Sequence, residues 1–118
     1  MADVSVVDGT MHITLTVPES LAAVHGRTLD VPISSITDVT AVDDIFGQVR
    51  GLRMPGTGWP NRIAIGTWRG GRGQAKFRDF ALIHRPGPGV VVSTSGVPYD
   101  RILIGLPQPE ELVEELRA

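Results

Sequence analysis

The 118 residues carry a formal net charge of −2, 42% apolar and 20% charged side chains, and no cysteine. These values predict one domain over residues 1–118, with a core that needs no cross-links, and they exclude disulfide frameworks, thiolate metal sites and cysteine nucleophiles. The charge is segregated: eight basic residues and one acid, Asp79, lie between Arg50 and Arg85, so an acidic chain can still present a cationic surface. Arginine outnumbers lysine ten to one, a ratio that reflects GC-rich coding as much as function.

In chain order, Met1–Val7 holds Asp3 and no basic cluster before an apolar run, and the longest apolar runs are only a few residues. That pattern predicts neither a secretory signal nor a membrane-spanning helix, and a cytoplasmic location. Val4–Asp8 and Met11–Val17 read as strands joined by a tight turn at Asp8-Gly9-Thr10. In the second run Met11, Ile13, Leu15 and Val17 alternate with His12, Thr14 and Thr16, which predicts one buried and one polar face. A short helix is expected near residues 18–25, with Pro18 in its first turn and Gly26 as its stop. Extended structure resumes at Leu29–Ile33 and Ile36–Val42, broken at Ser34-Ser35. Leu52–Met54 reads as a short strand, and Pro55–Asn61 as a loop. Arg62–Trp68 and Ala75–Ile83 form an antiparallel hairpin about Arg69–Gly73; Val90–Thr94 and Tyr99–Leu106 are further strands. Pro109–Arg117 is an amphipathic helix with proline at its first position and acids in its first turn. The plan is mainly β, α+β by count: seven to eight short strands capped by a C-terminal helix.

Three stretches resemble a bacterial family of pleckstrin-homology-like domains, found mostly in proteins of unknown function. They are Gly51-Leu52-Arg53-Met54-Pro55-Gly56-Thr57-Gly58-Trp59-Pro60, then Ile65-Gly66-Thr67-Trp68, and then Tyr99-Asp100-Arg101-Ile102-Leu103-Ile104 leading into Pro109-Glu110-Glu111-Leu112. The N-terminal half is similar in pattern only. Gln108 stands where the family tends to place an acidic helix cap, and the membrane-spanning segments common in relatives are not found here. The resemblance implies a strongly bent antiparallel sheet, closing toward a barrel, with the last helix plugging one end. It implies little about activity, because fold does not transfer function.

His12, His25 and His84 show no metal-ligand spacing, and Ser93, Thr94 and Ser95 lack the nucleophile-elbow pattern. Asp43-Asp44 reads as a solvated turn, and the glycine clusters at 56–58 and 70–73 as backbone devices, not phosphate loops. No catalytic residue, metal or cofactor is expected. Arg69, Arg72, Lys76 and Arg78 are the candidate ligand site: several cations near a sheet rim can receive phosphate, an anionic lipid headgroup or an acidic peptide. The competing explanation is a solvated hairpin tip whose charge keeps an edge unpaired. Trp59 and Trp68 are candidates for a partner groove, with Trp68 alternatively filling space beneath the terminal helix against Leu112 or Leu116.

The expected function is a non-enzymatic binding or scaffolding module with a protein partner, self-associating through a sheet edge in one variant. An anionic-ligand or membrane-surface module using residues 69–78 is the alternative, ahead of an enzyme with dispersed residues. The acidic balance and the absence of a recognised motif point away from nucleic acid.

Overall fold

The computed structural model describes residues 3–16, 28–49, 52–59, 63–71, 76–95 and 99–117; the helix expected near 18–25 falls outside them. Alternation of apolar and polar residues governs the first sheet. β1 (Asp3–Val7), β2 (Thr10–Thr14) and β3 (Thr28–Pro32) pair antiparallel in that order. Met11, Ile13 and Val31 are buried on one face, while Ser5, Thr14 and Asp30 are exposed on the other. The β1–β2 hairpin closes from Val7 to Thr10 over Asp8 (φ 50°) and Gly9 (φ 75°). Two consecutive left-handed residues match the twist of the flanking strands, which is why Asp-Gly suits this position.

The second sheet has six strands: β4 (Ile36–Val42), β5 (Leu52–Trp59), β6 (Ile63–Gly70), β7 (Phe77–Ile83), β8 (Gly89–Thr94) and β9 (Arg101–Gly105). Their spatial order is β4-β8-β9-β7-β6-β5. β9 is therefore inserted between β7 and β8, antiparallel to β8 and parallel to β7. Every other described pair is antiparallel. The mainly β plan with a terminal helix holds, but in place of one sheet curling toward a barrel there are two sheets that do not close into one.

The loop expected over Pro55–Asn61 is a strand as far as Trp59. Its glycines and proline are tolerated because β5 is the edge of the sheet and its register shifts between Arg53 and Gly56, around Pro55. At an edge bulge a missing N–H deprives no ladder of a bond.

Both faces of the six-stranded sheet are covered, so its central strands are apolar without alternation. Val90–Val92, Phe80–Ile83 and Ile102–Ile104 are buried throughout, the pattern of strands packed on both sides. One face meets the three-stranded sheet: Met11, Ile13, Leu15 and Val31 pack with Ile65, Phe80, Val92 and Ile102. The C-terminal helix α1 (Pro109–Arg117) lies on β4 and β8 at that same face. Leu112 and Leu116, spaced one turn apart, are 6% and 4% exposed. Burying two leucines contributes about 1.5–3 kcal/mol each, which holds the helix down. The opposite face carries a second core of Ile45, Ala64, Trp68, Ala81, Ile83 and Leu103. It is roofed by a 3-10 turn over Phe46–Gln48, which brings Phe46 and Val49 against it.

No described helix is long and apolar enough to cross a membrane.

Candidate functional site at the cationic end of β6 and β7

The β6–β7 register places Trp68 opposite Asp79, Arg69 opposite Arg78 and Gly70 opposite Phe77. Side chains of directly opposed residues emerge on one face with Cβ atoms about 4.5–5.5 Å apart. The sequence-predicted cations Arg69 and Arg78 are therefore brought together as a like-charged cross-strand pair. Arg69 is exposed and Arg78 half-buried; Lys76, also exposed, precedes the first residue of β7. Arg72 lies outside the described residues, as does the side chain of Trp59.

Asp100 fixes the backbone at this point without forming an ion pair with either arginine. Its N–H donates to the Arg78 carbonyl at 2.6 Å, and its Oδ2 accepts the Arg78 N–H at 2.8 Å. The parallel ladder to β9 then begins one residue later, at Asp79 opposite Arg101. Among the described residues neither Arg69, Arg78 nor Lys76 makes an ion pair. Two guanidinium groups on a backbone held from both sides can receive a shared oxyanion.

The neighbouring charges have a different fate. Asp79 is 1% exposed, on the second-core face, and Arg101 donates to its Oδ2 from Nε at 3.2 Å and from Nη2 at 3.0 Å. The same Nη2 donates to the Gln48 carbonyl at 2.6 Å. This network ties β7, β9 and the roofing turn together. Sequence reasoning missed it, although a lone acid between apolar strand residues, Phe77 and Phe80, and an arginine opening Ile-Leu-Ile were its visible signals.

Trp68 is 7% exposed and fills the second core. It does not lie beneath the terminal helix, since Leu112 and Leu116 belong to the core on the other face. The 45–49 segment packs over Trp68, with Ile45 in the same core and Phe46 and Val49 against it.

One further row has the composition of a catalytic triad. On the outer face of the three-stranded sheet Ser5 is opposite His12, and His12 is opposite Asp30. His12 Nδ1 is 2.7 Å from Asp30 Oδ1, but Ser5 makes no hydrogen bond to His12. Ser5 and Asp30 are exposed and His12 half-buried, and among the described residues the hydroxyl has no hydrogen bond to the imidazole that would activate it. Asp30 orients His12; no nucleophile is engaged. Among the described residues no group of three or more His, Cys, Asp or Glu is placed to hold a metal ion.

No protein-family model, curated protein or solved structure matches the chain.

Proposed function

We propose that this chain is a non-enzymatic binding or scaffolding module whose partner presents an anionic group to Arg69 and Arg78. The observation that carries this reading is the direct cross-strand opposition of the two arginines with no counter-ion among the described residues. Like charges in that position cost a sheet roughly 0.2–1 kcal/mol. Against edge protection stands the place of these strands, since among the described residues β6 and β7 are flanked by β5 and β9. A bound phosphate, lipid headgroup or acidic side chain would turn the repulsion into two charge-assisted contacts. The buried carboxylate Asp79 is committed to Arg101, and this supports a role in holding the fold and not in acid–base chemistry.

The test titrates wild type and an Arg69→Gln/Arg78→Gln variant with inorganic phosphate, with phosphatidylserine vesicles and with phosphatidylcholine vesicles. Salt-sensitive binding to one of the two anionic probes, lost in the variant, is the expected result. Binding that the double substitution leaves unchanged would refute the site.

A second reading, self-association through a sheet edge, is favoured by β1. This outer strand, Asp-Val-Ser-Val-Val, has no proline, lysine or arginine, and its Val7 is 52% exposed. Such an edge can pair with another strand. Light scattering that reports a strict monomer at all concentrations would count against it. The pleckstrin-homology-like resemblance belongs to the same proposal: the capping helix after the last strand supports it, while the parallel β7–β9 pair is a feature it does not anticipate.

A further inference from the structure

The chain leaves β9 at Gly105 and reaches α1 through Leu106-Pro107-Gln108, and this link forms a ridge between two hollows. Leu106 N–H donates to the Pro88 carbonyl at 3.1 Å, which seats the link against the 84–88 bend. On one side is a hollow of about 220 Å³ lined by His84, Arg85, Pro86 and Pro88. On the other is a hollow of about 270 Å³ lined by Val4, Glu111, Leu112 and Glu115. Both share Leu106 and Pro107 as their wall. Arg85, Glu111 and Glu115 are exposed, and among the described residues none of them makes an ion pair.

An apolar ridge with a basic flank and an acidic flank is complementary to itself. Rotated by a half turn about an axis running along the ridge, the basic hollow of one copy faces the acidic hollow of the other, twice over. That is the isologous arrangement of two-fold dimers, in which residue i meets j and j meets i. We infer that the chain forms a two-fold dimer through this end, with Arg85 of each copy against Glu111 and Glu115 of the other and the Leu106–Pro107 ridges meeting at the axis. An acidic partner would satisfy one flank and a basic partner the other; a second copy satisfies both. Pro86, Pro88 and Pro107 fix much of the surrounding backbone, so little conformational freedom is lost on docking. The inference rests on the self-association reading and moves its contact from the β1 edge to this ridge.

The test is a charge swap, read by sedimentation or light scattering of the full chain over a range of concentrations. Glu115→Arg puts a cation in the last turn of α1, where it suits the helix, and Arg85→Glu changes an exposed bend residue. Wild type should reach twice the 12.7 kDa chain mass. Each variant alone should dimerise at least roughly tenfold more weakly, because like charges then face each other. An equimolar mixture should recover wild-type association as a heterodimer, since each opposition becomes attractive again. Arg85→Gln and Glu115→Gln should weaken the dimer by smaller steps, and circular dichroism should show every variant folded. A strict wild-type monomer overturns this inference together with edge pairing. A dimer indifferent to both reversals leaves edge pairing standing and overturns this inference alone, as does a mixture that fails to recover.

Discussion

Removing both halves of the Asp79–Arg101 pair should cost well short of the sum of the two single losses. Asp79 has 1% of its side chain exposed and Arg101 19%, so neither charge can turn to water without moving the strands around it. Arg101→Leu removes the counter-ion of a buried carboxylate, for which about 3–5 kcal/mol is the ordinary penalty. Asp79→Leu strands a guanidinium that still reaches the Gln48 carbonyl and has some exposure. Its cost should fall lower, roughly 2–4 kcal/mol. With both replaced by leucine the uncompensated charge is gone, and what remains is the lost tether to Gln48 and imperfect packing. The double variant should be no worse than the Arg101 single, with a coupling of roughly 2–3 kcal/mol. Against a total stability of about 5–15 kcal/mol, these differences are easily resolved by urea unfolding, provided that the m-value stays constant. Additive single effects, or an Arg101→Leu protein within about 0.5 kcal/mol of wild type, would refute the claim that this pair is a buried, desolvated link.

Other substitutions probe the remaining features. A Cβ at Gly89 would fall on the Ile104 carbonyl oxygen and within 2.8 Å of Ile45 Cγ1, whereas one at its cross-strand partner Gly105 meets nothing nearer than 3.5 Å. Gly89→Ala should therefore lose about 2 kcal/mol or more in chemical denaturation, and Gly105→Ala should be within about 0.5 kcal/mol of wild type. Trp68→Ala should destabilise by about 3–5 kcal/mol, as for an aromatic removed from a core; a tryptophan lining a free groove would leave the unfolding midpoint almost unchanged. Arg69→Gln should raise stability by roughly 0.2–1 kcal/mol at low salt by relieving its opposition to Arg78. The gain should shrink as salt screens the pair, and a salt-independent change would argue against repulsion as its source.

Much of the strand content could be read directly, because period two and turn chemistry act locally. The Asp8-Gly9 hairpin, the polar and buried faces of β2, and α1 starting at Pro109 all emerge from residues within a few positions of one another. What escaped depends on distant partners. That Gly-Pro-rich residues 52–59 form a strand depends on β6 supplying the ladder and on the edge leaving Pro55 unpenalised. The burial of Trp68 depends on the 45–49 turn arriving from elsewhere in the chain. A subtler signal was present: Val-Val-Val in β8 and Ile-Leu-Ile in β9 lack alternation, which marks strands covered on both sides. The basic cluster was visible by composition, but the opposition of Arg69 to Arg78 required the register, and Asp79 with Arg101 required the parallel neighbour.

The insertion of β9 between two earlier strands sets a schedule for synthesis. A polypeptide emerging from the ribosome delivers β7 and β8 before the segment that belongs between them. Until Arg101–Gly105 follows, those neighbours expose two valine- and phenylalanine-rich borders with open backbone donors and acceptors. The nascent domain is then most prone to wrong pairing just before its keystone strand arrives, and a lesion in those five residues would leave a split sheet, not a frayed end.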